Sequence, residues 1–184
     1  LDSALHIAFG RFVESCVGAL NPQAGASFRG PVLLPPSAVG EFLLGPLLTA
    51  LSAQSVRLKR SPFADRLGDR IAASGFSLVD AGAGLPGFDL APFDREGQPR
   101  SARTLIEDGV LNGLLYDSRE ARAAGCASTG NALGGADRQP SVGIASLSLS
   151  PGATASTDLL AGLGRGVLVT RFSGTTDPVS GDFS

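Results

Sequence analysis

Few residues in this 184-residue chain could do chemistry on their own, and its only histidine is His6. His6 falls on a predicted helix at the start of the chain, where a lone histidine is more often a structural or surface group than an acid–base catalyst. A serine nucleophile raised on a strained strand-to-helix turn needs G-x-S-x-G, which is absent, and a serine triad would have to recruit His6. Zinc needs several N, S or O ligands converging tetrahedrally. The usual helical supply is a pair of histidines one turn apart, which a chain with one histidine cannot provide. Cys16 and Cys126 are too few and too distant in sequence to make a disulfide framework, and read as two small buried or half-buried thiols. Asp94 with Glu96, and Glu107 with Asp108, are the acidic pairs that could serve a metal. A turn explains Asp108 better, and a loop ending at Gly97 explains the first pair. Gly82-Ala83-Gly84-Leu85-Pro86-Gly87 is formally a GxGxxG after a strand. A dinucleotide fingerprint needs a helix to start at those glycines, and Pro86 and Pro92 oppose one, so a surface loop is the better reading.

The elements that would position these residues are short. Arg103 to Ile106 reads as a strand, Asp108-Gly109 as a two-residue turn with positive φ at both positions, and Val110 to Tyr116 as the returning strand. Asp117 is placed to cap a helix over 118–124, with Glu120 at capping-box spacing and Gly125 as the C′ residue. A polar loop follows, Ser128-Thr129-Gly130-Asn131. Upstream, Ala4 to Leu20 reads as an amphipathic helix with Leu5, Phe9, Phe12, Val13, Cys16 and Leu20 on one face, stopped by Asn21-Pro22. Residues 23–30 form a small, polar linker. Pro31 to Leu34 is a short strand, and Ser37 is expected to cap a helix carrying Val39, Leu43, Leu47 and Leu51. Pro46 should kink or restart that helix. Strands are expected at 71–73, 76–80, 144–149 and 166–172, with a helix capped by Ser156 or Thr157 running through Leu163. A last strand ends the chain. The pattern predicts an α+β fold with a largely antiparallel sheet, hairpins and several short helices. The expected division is residues 1–29, the end of a preceding domain with its linker, and residues 30–184, one domain truncated at its C-terminus.

A hydrophobic fraction of 43% suffices for a core, and the net charge is −2 with Lys59 as the only lysine. No basic patch interleaved with aromatics argues for nucleic acid, and no apolar run reaches membrane-spanning length. The chain has no methionine and stops on an apparent strand, so it is expected to be an internal stretch of a longer protein.

Four stretches in order carry a family resemblance: Phe93-Asp94-Arg95-Glu96-Gly97, the run from Arg103 to Ala132 ending in Ser-Thr-Gly-Asn-Ala, Arg165 to Thr170, and Val179 to Ser184. Together they resemble the carboxy-terminal domain of the TldD/PmbA family, over roughly residues 30 to 184. The catalytic, TldD-like branch carries HExxxH at the start of the domain's first helix. The matching place here is Pro36-Ser37-Ala38-Val39-Gly40-Glu41. Pro36 stands where the first His would be, Ser37 where the Glu would be, and Glu41 where the second His would be. The resemblance is therefore closer to the PmbA or TldE-like branch.

That branch implies a non-catalytic, cytoplasmic subunit of a zinc metallopeptidase complex, which matures modified peptides or degrades unfolded ones. The chain would hold no metal and have no catalytic residue, with zinc in a TldD-like partner. Its ligands would be that partner and an extended peptide, with neither nucleic acid nor membrane. Ser128, Thr129, Gly130 and Asn131 are the candidates for peptide contact, since Thr and Asn offer the donors and acceptors that strand-type recognition uses. The alternative for that loop is a turn that ties down its own backbone. Two other readings stay open for the whole chain: a peptidase in its own right with ligands outside this stretch, or a peptide-binding scaffold with no proteolytic role.

Overall fold

A computed structural model describes residues 2–84, 91–144, 146–169, 174–177, 179, 180 and 182. Residues 85–90 of the glycine-rich loop, residue 145 of the expected 144–149 strand, residues 170–172 of the expected 166–172 strand, and residues 181, 183 and 184 of the last strand lie outside the described residues. The chain divides into two compact units, Leu1–Pro31 and Val32–Ser184. In the first, α1 spans Asp2–Gly18. Leu5, Phe9, Phe12, Val13 and Leu20, predicted to share a face, are all exposed, as is His6.

The second unit is built on an antiparallel four-stranded sheet. Its strands are β2 (Leu78–Asp80), β3 (Arg103–Glu107), β4 (Val110–Leu111) and β7 (Leu147–Leu149), in the order β4-β3-β2-β7. β5 (Ala132–Leu133) and β6 (Ser141–Val142) make a separate antiparallel pair. β1 (Val32–Leu33) and β8 (Val167–Leu168) pair in parallel. Neighbouring residues of a strand point to opposite faces. Leu105 and Ile106 are both buried, so β3 is covered on both sides. Leu51, Leu78, Leu111, Leu114 and Leu115 complete the core with them.

The β3–β4 turn is the one expected: Asp108 has φ 47° and Gly109 φ 82°. The returning strand is shorter than predicted, for a local reason. Asn112 and Gly113 both donate their N–H to the Leu105 carbonyl, at 2.9 and 3.3 Å, which breaks the ladder. Leu115 then leaves the sheet and bonds the first helical layer, donating to Leu51 and accepting from Ala53, each at 2.9 Å. The strand expected at 71–73 is also absent. Ile71 and Ala72 instead give their N–H groups to the Gly109 carbonyl, at 2.8 and 3.1 Å, packing that segment against the turn.

The helical layer runs through α2 (Pro36–Ala38), a π-helical stretch (Val39–Leu44), α3 (Gly45–Leu51) and α4 (Ala53–Arg57). Pro35 stands at the N-cap without a side-chain bond, so Ser37 is not the predicted cap. Pro46 behaves as expected and opens a new helix, α3. It has no N–H to give residue 42, and its ring would crowd that carbonyl; the wider π turn lies immediately before it. Widening the turn also shifts the apolar face. Leu44, Leu47 and Leu51 pack on the core, whereas Leu43 is 36% exposed.

The last helices are α5 (Ser118–Ala124) and α6 (Ser156–Ala161). Asp117 accepts the Glu120 N–H, and Gly125 is left-handed at φ 69°, both as predicted for α5. α6 begins after Ala155, and neither Ser156 nor Thr157 caps it.

Candidate functional site

The segment expected to correspond to HExxxH is helical from Pro36 onward. Pro36 takes the first helical turn, where a missing N–H costs nothing. Glu41 lies exposed in the π-helical stretch. Positions 36 and 41 are five residues apart, which in an α-helix leaves them about 140° apart around the axis. Hydrogen bonding in a π-helix runs i→i+5, and the widened turn brings position 41 back toward the face of position 36. The backbone thus suits two groups at this spacing, but the residues do not suit a metal: Pro36 has no donor atom, and Ser37 and Glu41 add one hydroxyl and one carboxylate. Among the described residues no three His, Cys, Asp or Glu side chains gather as a metal site. An open hollow of about 340 Å³ adjoins this helix, lined by Glu41, Gly45, Pro46 and Thr49 on one side and Gly174–Thr176 on the other. Its chemistry is one carboxylate and several hydroxyls, enough to hydrogen-bond a polypeptide backbone.

The Ser128–Asn131 loop is held from within. Asp80, on β2, is buried; its Oδ1 accepts the Gly82 N–H at 3.0 Å and its Oδ2 accepts Asn131 Nδ2 at 2.6 Å. Thr129 Oγ1 donates to Asn131 Oδ1 and accepts the Tyr116 N–H at 2.8 Å. Gly130 sits at φ 73°, and a Cβ there would run into the Pro99 carbonyl oxygen. Ser128 is half-buried, its hydroxyl 3.3 Å from both the Tyr116 carbonyl and the Gly130 N–H. Thr129, Gly130 and Asn131 are buried, so Ser128 is the one side chain of the four that a ligand could reach.

The acidic pairs serve the same scaffold. Asp94 is buried and accepts three N–H groups, from Glu96 at 2.8 Å and from Gln98 and Ala132 at 2.9 Å. Glu96 accepts the Ser118 N–H at 2.8 Å, satisfying an orphan donor at the start of α5. The Phe93–Gly97 stretch, the α5 start and the polar loop are therefore fastened to one another. Glu107 accepts from Asn112 Nδ2 at 3.0 Å. Asp108 accepts the Gly75 N–H at 2.7 Å and meets Arg70. The Gly75 N–H, and after it Arg70, hold its carboxyl below the usual carboxylate range.

One pairing has no local signal in the sequence. Glu120 is buried and takes a bidentate bond from Arg57, 63 residues earlier, at 2.7 and 3.0 Å. That bond draws the Glu120 side chain into an ion pair with α4, although the sequence predicts that it reaches back to the Asp117 N–H. The Arg57 hydrogen bond holds the Glu120 carboxyl below its ordinary range, against burial, which pushes it up. Cys16 and Cys126 are both exposed, not buried as expected; Cys126 directly follows the left-handed Gly125 that turns the chain out of α5. Burial pushes the Tyr116 hydroxyl above its usual range, with a smaller push from Cys126.

Residues 27–184 match the family described as the PmbA/TldA metallopeptidase C-terminal domain. The chain belongs to this family. Its similarity to a metalloprotease PmbA homolog of Haemophilus influenzae is 32% identity over 177 residues, covering 93% of this chain and 37% of that protein. A metalloprotease TldD homolog of the same organism is 27% identical over 173 residues, covering 93% and 36%. The crystal structure of TldE from Thermococcus kodakarensis superposes with a TM-score of 0.74 at 26% identity, covering 84% of this chain and 36% of that one. This PmbA/TldA-family chain thus spans little more than a third of the relatives' length, and its relatives include bacterial and archaeal proteins. Among the described residues of this family member, no helix is long and apolar enough to cross a membrane.

Proposed function

We propose that this chain is the carboxy-terminal domain of a TldE/PmbA-like subunit that has no zinc site of its own and completes a cytoplasmic zinc metallopeptidase by pairing with a TldD-like subunit. The observation that supports the proposal is that the Pro36–Glu41 segment, which we align with HExxxH, is helical and carries none of that motif's histidines. Higher identity to the PmbA homolog than to the TldD homolog of one organism, 32% against 27%, supports the same branch. Zinc, held by the partner, would supply the activated water. This chain would offer Glu41, the Thr175 and Thr176 stretch and Ser128 as hydrogen-bond partners for an extended, unfolded or modified peptide.

The test is reconstitution. The protein alone should not hydrolyse an unfolded polypeptide, and a mixture with a TldD-like protein should. Replacing the histidines of the partner's HExxxH should abolish that activity, whereas Glu41→Ala in this chain should leave zinc bound and alter KM for the peptide more than kcat. Hydrolysis by this protein alone would overturn the proposal.

A further inference from the structure

The cleft between α4 and α5 is separate from the hollow at Glu41 and shares no lining residue with it. Its volume is about 130 Å³, and its walls are Ala53, Val56, Leu114, Tyr116, Ala123 and Ala124. Pockets for whole small molecules run to about 300–1,000 Å³. A space of this size matches one apolar group, since a cavity of about 150 Å³ takes a benzene ring. The cleft therefore fits a single side chain of leucine size.

The rim defines what surrounds that side chain. The Arg57 side chain is 41% exposed and that of Arg119 62% exposed, while the Glu120 side chain that both meet is 2% exposed. Asp117, next to it, is also buried, and spends an oxygen on the Glu120 N–H. The four charges sum to zero, but both carboxylates lie beneath the surface and both cations reach it. Lys59, Arg60 and Arg122 add exposed cations on the same two segments. Residues 53–60 and 117–125 hold no acid besides the buried Asp117 and Glu120, so the exposed charges of the two segments are all positive. A potential of this sign favours acidic groups in the encounter and in the complex.

We infer that the α4–α5 cleft is a docking site for an acidic segment of a partner protein, which inserts one leucine-sized side chain among Ala53, Val56, Leu114 and Tyr116 while its flanking carboxylates meet Arg57 and Arg119. This inference does not depend on the zinc reading above. An apolar contact inside a polar rim is the usual anatomy of an interface.

The site carries its own reporter. This chain has one tyrosine and no tryptophan, so the tyrosine emission of these 184 residues comes from Tyr116. The probes are end-capped pentapeptides with two glutamates on either side of a central residue. With leucine at the centre, Tyr116 emission should change saturably. Affinity should fall about tenfold when the centre is alanine, and at least as much when the flanks are lysine. Ala123→Leu should fill the cleft and abolish the leucine response; Ala123 is exposed on α5 and leucine is a good helix former, so folding should survive, as a far-UV melt would check. Arg119→Gln should weaken the glutamate peptide several-fold and leave the lysine peptide no weaker. No saturable change at millimolar peptide would overturn the inference. So would equal responses to all three probes, or a leucine response that survives Ala123→Leu.

Discussion

Replacing Asn131 by alanine tests whether the polar loop is a structural tie. Asn131 Nδ2 stands 2.6 Å from Asp80 Oδ2, and its Oδ1 receives the Thr129 hydroxyl. Asp80 and Asn131 are each 4% exposed, so water cannot easily take the vacated place. A hydrogen bond to a charged group contributes about 1.5–3 kcal/mol, and a neutral one about 0.5–1.5 kcal/mol. Asn131→Ala should therefore destabilise the fold by about 3 kcal/mol, or about 6–12 °C in Tm for a chain of this size. Ser128→Ala, at a half-buried hydroxyl with two long bonds, should cost under about 1 kcal/mol. The assay is urea unfolding followed by far-UV circular dichroism, with an unchanged m-value as the sign that stability alone has moved. A loss below about 1 kcal/mol for Asn131→Ala would refute the reasoning, because the Asp80–Asn131–Thr129 chain would then not be supporting the loop.

Glycine geometry gives a second check. Gly109 and Gly97 both have positive φ, 82° and 77°, but a Cβ at Gly109 would strike the Ala72 and Ala73 carbonyls, whereas at Gly97 it meets nothing within 4 Å. Gly97→Ala should cost about 1–2 kcal/mol and Gly109→Ala clearly more, both read from the same urea transitions. Acid sensitivity follows from Glu120. Its folded carboxyl is held below the unfolded value, so its contribution to stability is complete above the ordinary glutamate range and is lost as pH falls through the lowered folded value. Glu120→Gln should therefore flatten the acid limb of the stability–pH curve, measured by urea midpoints at falling pH. The π-helical register predicts that Pro36→His, Ser37→Glu and Glu41→His together confer zinc affinity detectable by equilibrium dialysis. Unchanged affinity would count against the alignment with HExxxH.

What was legible in the sequence was local. The Asp108-Gly109 turn, the Asp117 cap and the Gly125 stop each depend on one or two residues whose backbone preferences are strong, and all three stand where the pattern put them. The strands were longer in expectation than in fact because tertiary bonds override β-propensity. Leu115 is claimed by Leu51 and Ala53, and Ile71 and Ala72 by Gly109. The π turn before Pro46 was visible only as a predicted interruption, since apolar periodicity assumes a constant 3.6 residues per turn. At the site, the sequence named the polar loop and the acidic pairs but not their partners. Asp80 is 51 residues from Asn131 and Arg57 is 63 from Glu120, and no spacing rule reaches that far. Nor does composition indicate that the carboxylates between the α4 and α5 arginines are buried beneath them.

Zinc stoichiometry tests the central claim most directly. The protein should be purified without its partner and without chelator, and its metal content measured by mass spectrometry against protein concentration. Pro36, Ser37 and Glu41 predict about zero zinc per chain, with zinc appearing only when a TldD-like protein is added. About one zinc per chain in the protein alone would contradict the account, and would make this protein the peptidase to assay.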